Sequence, residues 1–199
     1  INVGYGLNNG LIKNNVVDAI FNDGIKYDGS NLVIEDNLIQ NSLDFSDAEC
    51  PPCITNCHND GIQGYAGSGD FTNIIIRRNQ VYESTPTFPP NMVPSNLEGI
   101  VQFDNKCISC TIENNIVYAN HWWGIGMAQG IENSEIRGNT VYGCIGGNGE
   151  SSIWIRVKGL NTYIWNNIAG AIVDESGQAS INYNRDISTC SGTDGSTYF

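Results

Sequence analysis

Apolar residues along this chain do not recur at helical spacing; they come in short bursts punctuated by Asn, and one burst is written six times. An apolar residue, two variable residues, Asn, any residue and then usually Val or Ile make up I-K-N-N-V-V (12–17), I-E-D-N-L-I (34–39), I-R-R-N-Q-V (76–81), I-E-N-N-I-V (112–117), I-R-G-N-T-V (136–141) and I-W-N-N-I-A (164–169). The fourth position is Asn in every copy. A second element, a small residue followed by Ile, alternates with the first: Gly24-Ile25, Gly61-Ile62, Gly99-Ile100, Gly124-Ile125, Ser152-Ile153 and Ser180-Ile181. Strict alternation of two elements predicts a chain wound into successive coils.

Neighbouring motif Asn residues are in several cases 22 to 28 positions apart, too close for strand–helix–strand units and right for one turn of a three-stranded coil. Wider separations mark inserted loops. β-branched residues and Asn/Gly turns dominate, as stacked parallel strands require. Each motif Asn is expected at a tight bend, hydrogen-bonded to its equivalent one coil away, which satisfies buried amides in a solenoid. The residue after each leading Ile alternates in sign, Lys13, Glu35, Arg77, Glu113, Arg137. With strands about 4.8 Å apart, these predict an exposed ladder of opposite charges.

The 199 residues suffice for one domain spanning 1–199, with loop insertions at 40–57 and 83–96, and 40% hydrophobic content excludes wholesale disorder. A start at Ile1 rather than Met leaves a mature product or a fragment of a longer chain as alternatives. Open coil ends expose strand edges, so a homo-oligomer or a larger parent chain is expected to cover them. No run of about 18 apolar residues is present, so no membrane span is expected. A net charge of −12 repels a phosphate backbone and argues against nucleic acid as a partner. It suits cation binding, whereas an acidic polymer would need a bridging metal or a local basic patch.

Seven cysteines fall at Cys50, Cys53, Cys57, Cys107, Cys110, Cys144 and Cys190. Disulfides inside loops, and with them an extracellular setting, secreted or on a virion or cell surface, are one reading. A metal knuckle of Cys50, Cys53, Cys57 and His58 is the other.

Insertions 40–57 and 83–96 both lie between an Asn-bearing strand and the next Gly-Ile strand, so they should rise from one edge and wall a groove floored by the Gly-Ile strands. In register, H-N-D-G-I-Q (58–63), N-L-E-G-I-V (96–101) and H-W-W-G-I-G (121–126) put both histidines of the chain three residues before the Gly. One residue before the Gly stand Asp23, Asp60, Glu98 and Trp123. Two carboxylates one strand apart suit proton transfer or cation capture. The expected catalytic set is therefore His58, Asp60, Glu98 and His121, with a histidine as base. Asp23, Asp60 and Glu98 are candidate calcium ligands, although no cofactor is required. Gln63, Gln102, Trp122, Trp123, Trp154, Arg156 and Lys158 are expected to contact substrate. The structural alternative is that N-D-G makes turns and the histidines share a column by repeat ancestry.

On these repeats, over roughly residues 11–185, the chain resembles the pectate-lyase-like superfamily, whose Asn ladders also occur in alginate epimerases and phage tailspikes. The resemblance implies an all-β fold, a right-handed single-stranded parallel β-helix of about six coils. H-N-D-G-I-Q followed by I-R-V-K (155–158) is similar to polygalacturonases, which would make Asp60 an acid and Arg156 and Lys158 a grip on a substrate carboxylate. The paired Asp-Asp and the Gly-His-Gly motif of that family have no counterpart here. The function expected is binding, with lyase, hydrolase or epimerase cleavage chemistry open, of an extracellular polysaccharide. The alternative is a non-catalytic structural or adhesive β-helix, such as a surface-fibre or phage tail segment.

Overall fold

A computed structural model describes residues 1–45, 58–65, 67, 69–82, 92–94, 96–119, 123–143 and 154–187. Every regular element among them is a β-strand. No helix there is long and apolar enough to cross a membrane. Among the described residues all strand pairs are parallel except one: Leu43–Phe45 runs antiparallel to Met92–Pro94. The backbones of the two expected insertions therefore meet each other.

Parallel pairing stacks the repeat copies into three ladders. In the first, Ile25, Ile62, Ile100, Ile125, Ile155 and Ile172 are successive Cα partners. The second aligns Ile12, Ile34, Ile76, Ile112, Ile136, Ile164 and Ile181. The third aligns Val17, Ile39, Val81, Val117, Val141 and Ala169. Most of these side chains are fully buried and form one core. Burying each aliphatic side chain stabilises the fold by about 1.5–3 kcal/mol before chain entropy is subtracted.

The arrangement is compatible with a β-helix-like solenoid, yet its pairing differs from a plain stack of separate short strands. Ile25–Glu35 and Trp154–Trp165 run unbroken through a bend, so each pairs in both the first and the second ladder. Hydrogen bonding thereby closes a ring of eight parallel strands through these two, His58–Gly64, Asn96–Gln102, Trp123–Glu132, Glu135–Arg137, Thr111–Glu113 and Ile75–Arg77.

Two of the expected Gly-Ile equivalents shift. Ser152 and Ile153 lie outside the described residues, and Ile155 pairs with Ile125. Ile181 stands opposite Ile164 in the second ladder, and Ile172 takes its expected place in the first. At Gly61 and Gly99 the reason for glycine is steric. An added Cβ would come within 2.3 Å of Val81 Cγ1 or 2.4 Å of Val117 Cγ1, where the first ladder crosses close to the third.

The Asn ladder forms, with one member more than the repeat predicts. Each Asn side-chain oxygen accepts from both the backbone N–H and the Nδ2 of the Asn before it, from Asn15 through Asn37, Asn79, Asn115, Asn139 and Asn167 to Asn184. The residue just before each ladder Asn adopts φ of 54 to 62°. Asn114 and Asn166 tolerate that left-handed turn well, whereas Arg78 and Tyr183 do so only because the ladder fixes the bend. The charge column also forms: Glu35 sits 2.8 Å from Lys13 and 2.6 Å from Arg77, and Glu113 sits 2.6 Å from Arg137.

Candidate site on the outer face of the first ladder

Asp60 and Glu98 are Cα partners on adjacent strands, as the aligned motifs predict. Their neighbours explain the local structure. Asn59, in the residue before Asp60, donates Nδ2 to Ile20 O, Ser42 Oγ and Leu43 O, which ties this strand to the chain entering it. The backbone oxygen of Asp60 accepts from Gly24 N at 2.8 Å. Both carboxyl side chains are 1% exposed, so the pair lies beneath the surface rather than on an open groove floor. Asp23 is separate in its contacts, with its carboxylate 3.2 Å from Lys26 Nζ. Among the described residues, no group of three or more His, Cys, Asp or Glu is placed to hold a metal ion.

His58 is placed by its backbone alone, opposite Asn96. His121, Trp122 and Cys50, Cys53, Cys57, Cys144 and Cys190 lie outside the described residues, as do most of insertions 40–57 and 83–96. Cys107 and Cys110 are joined by a disulfide and are 2% and 1% exposed. Gln102 faces the core, fully buried, and donates Nε2 to Asn105 O at 2.7 Å. Gln63 is half-buried on the outer side of its strand, where its Oε1 has no hydrogen bond among the described residues.

The structure brings together Trp123, Trp154, Arg156 and Lys158. Trp123 and Trp154 are Cα partners, and Gly126 is the partner of Arg156. The Trp123 indole folds forward over Gly126, where a Cβ would meet Cε3 at 2.5 Å. Phe103 meets the indole edge-on with ring centroids 5.3 Å apart. Arg156 carries its guanidinium 4.9 Å above the Trp123 ring and 5.6 Å above that of Trp154, so the cation bridges two aromatic faces. Glu175 accepts from Arg156 Nε at 2.5 Å and also contacts its NH2 group; Lys158 Nζ is 3.9 Å from the same carboxylate. At the other end of the face, Lys26 Nζ lies 4.0 Å over the Tyr65 ring, which is 39% exposed.

Phe103, Glu175 and Tyr65 were not among the expected site residues. Each follows the end of a repeat strand in sequence, and only the parallel pairing of strands distant in sequence carries it onto this face. A half-exposed surface of indole, phenol and paired cations presents aromatic faces beside N–H and carboxylate groups. No family model, curated protein or solved structure matches this chain.

Proposed function

We propose that the chain is a right-handed parallel β-helix of the pectate-lyase-like kind that binds an extracellular polysaccharide on the outer face of its first ladder. Right-handed winding is the hand that parallel crossover connections adopt in about 98% of cases. The Asn ladder and alternating charge column support coils in a single stack. The observation that carries the binding function is the Trp123–Arg156–Trp154 cluster, half-exposed and held in register by adjacent strands. A glycan laid over this cluster would meet aromatic faces and hydrogen-bonding groups on two adjacent strands. The Cys107–Cys110 disulfide supports an oxidising, extracellular setting.

Burial of Asp60 and Glu98 favours a second reading, in which the solenoid is structural or adhesive and performs no cleavage. A carboxyl group 1% exposed must be uncovered before it can reach a glycosidic oxygen or a ring proton. Incubation with a panel of polysaccharides, with and without calcium, scored for retained protein, unsaturated products and new reducing ends, separates the cases. Retention without products supports a binding module, and products abolished by Asp60→Asn support an enzyme. Neither retention nor products on the panel refutes the proposal in favour of the structural solenoid.

A further inference from the structure

Building on the polysaccharide-binding reading of this face, we infer that its ligand is a neutral polysaccharide and not a polyuronate. Three cationic side chains reach the outer side of the first ladder among the described residues: Lys26, Arg156 and Lys158. Each already faces a carboxylate. Lys26 is 3.2 Å from Asp23 and also lies over Tyr65. Arg156 places two of its nitrogens on Glu175, and Lys158 shares the same carboxylate at 3.9 Å. Between these two ends, the positions in register with them are Gln63, Val101 and Gly126, none of them charged, and Val101 and Gly126 are buried.

A uronate chain carries a carboxylate on every sugar, and each would need a cation. To reach Arg156 it must displace Glu175, a fixed intramolecular partner that costs no association entropy. It must also approach a molecule of net charge −12, with its field screened only beyond about 8 Å at physiological ionic strength. A neutral sugar meets neither barrier. Its apolar ring face can lie on the indoles, while the guanidinium and the Glu175 carboxylate, held together, offer a donor and an acceptor to hydroxyls. Glu175 is thus a specificity-determining residue: by occupying Arg156 and Lys158 it removes the grip that a carboxylate-bearing sugar would use.

Affinity electrophoresis tests this with native gels containing either neutral polymers (mixed-linkage β-glucan, galactomannan, dextran) or acidic ones (polygalacturonate, alginate, hyaluronan). Wild type and Glu175→Gln are run at about 20 and 150 mM salt. Wild type should be retarded by a neutral polymer equally at both salts, and by no acidic polymer. Glu175→Gln, which frees both cations, should acquire retardation by an acidic polymer where wild type shows none, lost again at the higher salt, and a variant that acquires none would overturn the inference. Circular dichroism of the variant confirms that it folds. Wild-type retardation by an acidic polymer stronger than by any neutral one would overturn the inference while leaving polysaccharide binding intact. Absence of retardation in every gel would instead overturn the binding reading, and this inference with it.

Discussion

Asn115 lies at the centre of the Asn ladder, and truncating it to Ala tests whether that ladder holds the coils together. Its side chain is fully buried. Oδ1 accepts from Asn79 N at 3.0 Å and Asn79 Nδ2 at 3.1 Å, while Nδ2 donates to Ile76 O and to Asn139 Oδ1, both at 3.0 Å. Asn115→Ala removes all four bonds. Asn139 Oδ1 keeps the backbone N–H of residue 115 and Asn79 Nδ2 keeps Ile34 O and Arg77 O, but the backbone N–H of Asn79 loses its partner where water cannot replace it. At roughly 1 kcal/mol for each of three lost bonds and 1–3 kcal/mol for the orphaned amide, the cost is about 4–6 kcal/mol. That is a large share of a total stability of about 5–15 kcal/mol. Asn184, at the end of the ladder, makes three of the four equivalent bonds and is only half-buried, so water can serve its partners and Asn184→Ala should cost about 1 kcal/mol. Urea unfolding followed by far-ultraviolet circular dichroism measures both. Equal costs at the two positions, or a cost below about 1.5 kcal/mol at Asn115, would refute the view that buried amide pairing, rather than aliphatic packing alone, holds the stack.

Gly126→Ala forces the Trp123 indole off its seat and away from Arg156; about 1–3 kcal/mol of destabilisation and a red-shifted tryptophan emission are expected, and unchanged emission would contradict the placement. Hydrogen bonds from Lys13, then from Arg77 and Arg78, hold the Glu35 carboxyl down to about 2, against the opposing pull of burial. Because this pKa is depressed, the stabilisation is full above the ordinary glutamate range and is lost as pH falls through about 2. Glu35→Gln should therefore flatten the acid limb of the stability profile, and an unaltered limb would count against the charge column. Opening the four-residue Cys107–Cys110 ring by substituting both cysteines with Ala should cost about 2 kcal/mol by loop entropy. In the folded protein both sulfurs should resist reduction followed by alkylation, and rapid labelling without unfolding would contradict their burial.

Much of the frame is written in the sequence because a stacked coil repeats its constraints. The motif Asn and the alternating Lys13–Glu35–Arg77–Glu113–Arg137 column are legible since each copy needs the same bend and the same neighbour. A second bend recurs in the same way. Three residues before each leading Ile stand Asn9, Asn31, Asn73, Ser109, Asn133 and Asn161, all with positive φ, and Asn73 Nδ2 donates to Asn31 Oδ1 at 2.9 Å. The small-residue-then-Ile rule failed after Ile125, because beyond that coil a Trp154-Ile155 pair takes the place of glycine and the count slips. In the site, adjacency of Asp60 and Glu98 follows from register alone, whereas their burial depends on what packs over them, which no repeat encodes. Glu175 was invisible for a similar reason. It lies 19 residues from Arg156 in an otherwise unremarkable turn, and only the stacking of one further coil makes them partners.

Hydrogen–deuterium exchange of the full chain, with and without a saturating polysaccharide retained in the binding screen, locates the glycan on the protein. Binding on the first-ladder face protects segments 60–65, 100–103, 123–127, 154–158 and 173–175 and leaves the strands bearing Lys13, Glu35 and Arg77 unchanged. Protection confined to the charge column or to the third ladder, with the Trp123–Arg156–Trp154 face exchanging as in the free protein, would contradict it.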